Sequence, residues 1–230
     1  MAGFTGFPKE CIEFFKGLEK HNDKRWFEKH KEEYEEYVQT PSRFFVVDLG
    51  RKLEKIAPNV IADPRVNRSL FKIHRDTRFS PDKRPFKTNL GIWLWEGERK
   101  RMECSGFYFH YEGSEMFLGT GLYMFPREHL AEYRDSVVHD KYGAALVKAI
   151  KTITRDKRYK IGGKSYKKVP RGYDTEHPNA EWLLYGGIHA SITMKIPKEF
   201  YSAKLIDFCY EHFKAMQPLH KWVAAMVERV

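Results

Sequence analysis

Apolar residues recur at intervals of three and four along the first quarter of the chain, which is the spacing of a helix with one buried face. Three helices are predicted there. The first starts near Pro8, the second starts at Asn22 or Asp23, and the third starts at Thr40-Pro41, where a capping hydroxyl precedes a proline. The apolar positions are Cys11, Phe15 and Leu18, then Phe27, Tyr34 and Val38, and finally Phe45, Leu49, Leu53 and Ile56.

Alternating and aromatic-rich runs replace the helical pattern in the middle of the chain. Alternation with a period of two is typical of strands, and Gly113-Ser114 has the composition of a hairpin turn. We predict consecutive antiparallel strands over residues 69–73, 89–95, 104–111 and 115–123.

Helical and strand patterns alternate in the second half of the chain. The Gly162-Gly163 pair predicts a hairpin turn, and Pro218 is expected to interrupt a C-terminal helix because proline has no amide hydrogen. The predicted elements are a helix over 126–153, a hairpin over 158–169, a short helix over 178–184, a strand over 188–196 and a helical tail over about 199–230.

These elements predict an α+β fold in which helices cover one antiparallel sheet and the N- and C-terminal segments are helical. The length of 230 residues suits one large domain or two small ones, and we expect a single domain, 1–230. Hydrophobic residues make up 42% of the chain and aromatic residues 15%, a globular composition that excludes a disordered or collagen-like protein. No apolar run reaches the ~18 residues of a membrane helix.

The cysteines give no sign of a disulfide framework or a metal site. Cys11, Cys104 and Cys209 are odd in number, lie far apart and form no CxxC pair. The N-terminal residues lack the apolar core of a signal peptide, so we expect a soluble protein of a reducing compartment, the cytoplasm. The chain contains no HExxH, GxSxG or glycine-rich nucleotide motif, so neither metal nor cofactor is expected and enzymatic activity stays open.

The charge of the chain is strongly basic and unevenly distributed. Lys and Arg number 41 against 31 Asp and Glu, a net charge of +10. Residues 68–88 contain seven basic and two acidic residues, and residues 148–172 contain ten basic and one acidic. Two basic segments on a slightly acidic remainder favour a local site for an anion, although a lysine-rich solvated hairpin would account for the second segment equally well.

The most unusual segment is residues 73–89, between two predicted strands. Pro81 and Pro85 exclude regular structure, and connections of this length are usually functional or disordered. Phe79 and Phe86 are expected to attach this segment to the rest of the protein.

The polar groups of residues 73–89, here called the Arg-Asp loop, suit two roles. Arginines offer paired donors to a phosphate or carboxylate, and we predict an anion site built from Arg75, Arg78, Lys83, Lys87 and the more distant Arg171. Alternatively, Asp76 pairs with Arg75 and Arg78, Asp82 pairs with Lys83, and the loop is a structural latch. If the loop meets the strand that carries His110, then Asp76 and His110 are candidates for an acid–base pair.

Several short motifs, in order from residue 4 to about 190, resemble the family known as domain of unknown function 2461. The resemblance implies one full-length domain with shared marked positions, and it implies no substrate or mechanism. Phe86 stands where the family's tyrosine is expected, and from about Gly186 the tail follows the family pattern poorly. The motifs are Phe4-Thr-Gly-Phe-Pro8, Asn22-Asp-Lys-Arg-Trp-Phe27, the loop from Arg75 to Thr88, Gly106-Phe-Tyr-Phe-His110, Gly119-Thr-Gly121, Val169-Pro-Arg-Gly-Tyr-Asp174 and His177-Pro178.

Three functions are compatible with the sequence. The first is a cleft that binds a small phosphorylated or carboxylated molecule. The second is a nucleic-acid-binding protein, in which single strands stack on Tyr159, Tyr166, Tyr173 or Phe86. The third is a structural or partner-binding module in which the Arg-Asp loop is an internal salt-bridge latch. The oligomeric state cannot be predicted from these features.

Overall fold

The computed structural model describes residues 3–230, and over this range it has the predicted α+β architecture. The helices are α1 (Lys9–Lys20), α2 (Lys24–Lys29), α3 (Lys31–Glu33), α4 (Thr40–Leu53), α5 (Arg127–Val138), α6 (Asp140–Thr154) and α7 (Leu205–Val227). The strands are β1 (Val60–Ile61), β2 (Asn89–Glu96), β3 (Gly106–Glu112), β4 (Glu115–Leu122), β5 (Lys160–Lys164) and β6 (Tyr185–Lys195).

The six strands form one antiparallel sheet in the order β1-β2-β3-β4-β6-β5. A turn with Gly113 at a φ of +60° joins β3 to β4, as the sequence predicts, because glycine adopts this left-handed backbone without a steric penalty. Side chains alternate along β3: Phe107, Phe109 and Tyr111 are fully buried on one face. The residues between them occupy the other face.

Contacts group the chain into two compact units. The first unit comprises the residues up to Leu94 together with Tyr108–Phe117 and Thr193–Glu211. The second unit comprises Trp95–Phe107, Leu118–Ile192 and His212–Val230. The assignment of residues 1–230 to a single domain, with a family-like region over about 4–190 and a tail over about 199–230, stays a prediction.

Each unit has its own aromatic core. In the first unit, the Phe7 ring packs 4.9 Å from Phe200, and the Phe45 ring packs 4.8 Å from Phe109. In the second unit, the buried Tyr133 ring lies 4.7 Å from Phe125 and 5.9 Å from Trp222. Burial of such large side chains is the main source of stability in both units.

Three sequence-based predictions about local structure are wrong. Residues 69–73 do not form a regular strand, because Leu70 makes only isolated bridges, one of them antiparallel with Ile92 of β2. Residues 158–169 do not form a hairpin: β5 is a single strand that pairs with β6, and Gly163 allows the backbone to approach Gly187 closely rather than to turn. Pro218 lies inside the continuous helix α7. Burial of the flanking Met216 and Leu219 outweighs the cost of a proline in a helix, about 3 kcal/mol.

The helix predicted over residues 126–153 is divided at His139, whose extended backbone ends α5 and caps α6. Among residues 3–230, no helix combines the length and the apolar character that crossing a membrane requires.

Candidate anion-binding site

The Arg-Asp loop closes on itself at its base. The backbone N–H of Arg75 donates to the carbonyl oxygen of Pro85 at 2.8 Å, and that of Lys87 donates to Ile73 at 2.8 Å. The two ends of the loop are therefore held side by side without a regular hairpin, which is how a proline-containing segment satisfies its backbone groups.

Phe86 attaches the loop to the rest of the first unit. Its ring is 3% exposed and stacks 4.3 Å from Phe27. The side-chain amide of Asn22 donates to the Phe86 carbonyl and accepts from the Phe86 N–H, both at 3.0 Å. The predicted attachment through Phe86 is confirmed, whereas the one through Phe79 is wrong, because Phe79 is 91% exposed.

The arginines of the loop are paired with the loop's own carboxylates. Arg75 lies 2.6 Å from Asp82 and also donates to the Arg84 carbonyl oxygen, while Arg84 itself forms a second ion pair with Asp82 at 2.8 Å. Arg78 donates to both oxygens of Asp76 and lowers the pKa of that carboxyl to about 2. The hydrogen bonds from Arg84, and then those from Arg75, hold the pKa of Asp82 well below its usual range.

The remaining predicted anion ligands have different surroundings. Lys83 donates to the carbonyl oxygen of Thr77 at 2.9 Å, so the pairing of Lys83 with Asp82 that the latch alternative predicts is wrong. The Lys87 ammonium lies 5.5 Å from the centre of the Phe71 ring. Arg171 belongs to the second unit, where it is exposed and precedes Gly172, a residue with a φ of +92°.

His110 lies in a polar cluster on the face of β3 opposite to Phe107, Phe109 and Tyr111. Its Nδ1 is 3.0 Å from the Tyr108 hydroxyl, and its Nε2 is 3.5 Å from Glu112. Burial lowers the pKa of His110 more than Glu112 raises it, so the ring is neutral at pH 7. Among residues 3–230, neither a hydrogen bond nor an ion pair joins His110 to Asp76, which is bound to Arg78.

A cleft of about 510 Å³ runs along α6 in the second unit. One face of α6 lines the cleft along its length, and the segment around His177 lines the opposite side. Basic residues occupy one end of this face, because Lys148, Lys151 and Arg155 are spaced by three and four residues and lie on the same side of the helix. Asp140 is the one acidic residue among those that line the cleft.

A close contact between α6 and its surroundings shapes this cleft. A methyl group at Gly143 would overlap the Val137 carbonyl oxygen and would lie 2.6 Å from Nδ2 of Asn179. The Asn179 amide uses the same space to donate to Val137 at 3.0 Å. Glycine at position 143 therefore lets the segment that carries His177 pack against the junction of α5 and α6.

Both histidines that line the cleft have a defined tautomer when neutral. The Nδ1 of His139 accepts the backbone N–H of Lys141 at 3.2 Å, and the Nδ1 of His177 accepts that of Asn179 at 3.0 Å. A nitrogen that accepts a backbone N–H carries no proton, so the proton of each neutral ring is on Nε2, which is a donor.

The three cations of the cleft have no partner in the described part of the chain. The side chains of Lys148, Lys151 and Arg155 are exposed and form neither an ion pair nor a hydrogen bond there. By contrast, the neighbouring Arg158 binds both oxygens of Asp156. The cleft therefore presents concentrated positive charge that the described residues do not neutralise.

A family model described as a conserved hypothetical protein, DUF2461, matches residues 10–222 of the chain. The chain belongs to the DUF2461 family. The match reaches residue 222, further into the C-terminal tail than the motifs noted in the sequence. Among curated proteins, none matches the chain. Two motifs of this DUF2461 protein meet in the structure, since Asn22 from one motif binds Phe86 from another.

Sequence reasoning missed the cleft residues of this DUF2461 protein, although two features indicated them. Lys148, Lys151 and Arg155 lie in the second basic segment at helical spacing, and His177-Pro178 is one of the motifs that resemble the family. Within residues 3–230, no group of three or more His, Cys, Asp or Glu side chains is arranged to hold a metal ion.

A buried serine–histidine–glutamate network was also missed. In the second unit, Ser105 Oγ lies 2.9 Å from Nδ1 of His220, and Nε2 of His220 lies 2.8 Å from Glu96. The order of the groups resembles that of a nucleophile, a base and an acid. Ser105 and His220 are fully buried, however, and only Glu96 is partly exposed, so the network satisfies polar groups in the core and its serine is not accessible to a substrate.

The thiols are poor nucleophiles for the same reason. All three cysteines are buried and unpaired. Burial raises the pKa of Cys11 to about 12 and raises the pKa of Cys209 well above its usual value, so both are protonated at neutral pH.

Proposed function

We propose that this DUF2461 protein binds a small anionic molecule, a phosphate or a carboxylate, in the cleft along α6. The observation that carries the proposal is the alignment of Lys148, Lys151 and Arg155 on one helix face without acidic partners. Like charges three and four residues apart destabilise a helix, and a bound anion relieves that repulsion. The two histidines line the same cleft and offer N–H donors to the part of a ligand that extends beyond the cations.

The Arg-Asp loop supports a different role, that of the structural latch. An anion at the loop would have to displace Asp82 from Arg75, whose side chain is only 24% exposed. The loop's base is closed by backbone hydrogen bonds, and Phe86 is packed in the core of the first unit. The paired cations and the buried ring favour a loop whose charges stabilise its own conformation.

Nucleic-acid binding is the alternative that the exposed cations of the cleft also permit. Stacking of bases needs accessible rings, and of the rings expected to stack, Phe86 and Tyr159 are buried. Tyr166 is 39% exposed, and its ring lies 5.0 Å from the Arg134 guanidinium. A small anion and a single strand differ in salt dependence, because a strand releases many counterions on binding.

The test is calorimetric titration of inorganic phosphate at low ionic strength into the wild type and into the double variant Lys151→Gln/Arg155→Gln. Each charge-assisted hydrogen bond contributes about 1.5–3 kcal/mol, so we expect the variant to bind at least about tenfold more weakly. A mixed oligonucleotide is titrated in parallel over a range of salt concentrations.

The matched control is the double variant Lys167→Gln/Lys168→Gln, which removes the same charge from exposed positions that do not line the cleft. It should bind phosphate like the wild type. Equal losses in both double variants would mean that phosphate responds only to net charge, and the cleft would not be the site. Oligonucleotide binding with a steep salt dependence, and no binding of phosphate, would favour the nucleic-acid alternative.

A further inference from the structure

The cleft along α6 has two chemically different ends. Its basic end contains Lys148, Lys151 and Arg155. Nearer the start of α6, the cleft is lined by Ala144, Val147 and the facing Pro178, a part called here its apolar end. The helical rise of about 1.5 Å per residue separates Ala144 from Arg155 by about 16 Å along the axis. An inorganic anion hydrogen-bonds only to groups within about 3 Å of its oxygens, so it occupies the basic end and leaves the apolar end uncovered.

The apolar end also has polar groups at its limit. His139, Asp140 and His177 line the cleft beyond Ala144, towards the start of α6. The histidines offer N–H donors there, and the Asp140 carboxylate accepts hydrogen bonds. A ligand that extends from the basic end therefore meets an apolar surface first and hydrogen-bonding groups afterwards.

We infer, on the basis of the proposed function, that the ligand is a phosphate monoester whose organic part lies on Ala144, Val147 and Pro178. Three cations at one end match the charge of a phosphate monoester, about −1.5 to −2 at pH 7, better than the single charge of a carboxylate. Apolar side chains beside a charged end are the arrangement that recognises an organic body attached to an anion.

The experiment compares inorganic phosphate, phenyl phosphate and benzoate by calorimetric titration at low ionic strength. Phenyl phosphate should bind about tenfold or more tightly than inorganic phosphate, because its ring covers apolar surface that the inorganic ion leaves in water. Benzoate has the ring but only one charge, and it should bind more weakly than phenyl phosphate.

Two alanines of α6 provide a matched pair of variants. Both are exposed, but Ala144 lines the cleft and Ala145 does not. The variant Ala144→Gln should remove the advantage of phenyl phosphate over inorganic phosphate, whereas Ala145→Gln should leave that advantage as it is in the wild type. Glutamine is a good helix former, so both variants should have the circular dichroism spectrum and melting temperature of the wild type.

The outcomes separate this inference from the proposed function. Binding of inorganic phosphate without a preference for phenyl phosphate, or a preference that Ala144→Gln does not reduce, would overturn the inference and leave the anion site intact. Benzoate binding as tightly as phenyl phosphate would overturn the assignment to a phosphate. The absence of binding by any of the three probes would remove the anion site itself.

Discussion

The two basic regions of the chain differ in what happens to their charge. In the Arg-Asp loop, Arg75, Arg78 and Arg84 all bind carboxylates of the same loop. In the cleft, the cations of α6 have no acidic partner among residues 3–230. Both segments are basic in the sequence. In the loop the positive charge is neutralised by carboxylates, whereas in the cleft it remains available to a ligand.

The local sequence explains this difference. Arginine two residues after aspartate binds that aspartate through both its backbone N–H and its guanidinium, as in Asp76–Arg78, Asp82–Arg84 and Asp156–Arg158. On α6, the positions three and four residues from Lys151 are occupied by valine, lysine, threonine and arginine, so no acid is within reach on the helix surface. The spacing between acidic and basic residues along the sequence therefore decides which cations are neutralised.

The largest expected effect comes from removing the ring that holds the loop. Phe86→Ala takes away a side chain that is 3% exposed, and we expect it to lower the free energy of unfolding by about 3–5 kcal/mol. The measurement is urea denaturation followed by circular dichroism. Lys151→Gln in the cleft is the counterpart and should change stability by no more than about 0.5 kcal/mol, because its side chain is exposed and unpaired. Similar effects of the two variants would contradict the contrast between a structural loop and a ligand site.

An intermediate effect is expected at the wall of the cleft. Gly143→Ala gains up to about 1 kcal/mol in helix propensity, but its methyl group overlaps the Val137 carbonyl oxygen and crowds Asn179. Overpacking of this kind costs about 1–3 kcal/mol, so the net change should be destabilising, and phosphate binding should weaken as the wall shifts. Denaturation and titration of the same variant measure both. A Gly143→Ala protein more stable than the wild type would show that the wall moves freely.

The smallest expected effect concerns how the ion pairs of the loop change the stability of the protein in acid. The pKa of Asp82 is below its unfolded value of about 3.9, so its charge stabilises the fold above that pH, and this contribution is lost as the pH falls towards the folded pKa. Asp82→Asn should therefore be less stable than the wild type at pH 7 and should lose less stability between about pH 5 and pH 2. Melting temperatures across this range test the slope.

The matched variant for this test is Asp156→Asn. Asp156 also has an arginine partner and a pKa lowered to about 2, but it binds only Arg158, whereas Asp82 binds two arginines. The change in acid slope should be smaller for Asp156→Asn than for Asp82→Asn. Equal slopes in the two variants would mean that the second arginine, Arg75, adds nothing to the stability of the loop.

Much of the fold was predictable from the sequence because its determinants are local. The period of the apolar residues predicted α1 and α4, aromatic-rich runs predicted β2 and β3, and Gly113-Ser114 predicted the turn into β4. Gly162-Gly163 misled the prediction, since a glycine pair indicates equally a turn or a close approach of two backbones. The burial around Pro218 depends on residues distant in sequence, so the residues next to Pro218 do not indicate it.

By itself, the sequence determined the fold class, the family motifs and the presence of two basic segments, since periodicity, motif order and charge are properties of neighbouring residues. Only the tertiary structure decided that Arg75 pairs with Asp82, that Phe86 is buried and Phe79 exposed, and that α6 faces His177 across a cleft. The reason is physical: the free charge and the accessibility of a side chain depend on which groups the fold brings within a few ångströms of it, and those groups are often far away along the chain.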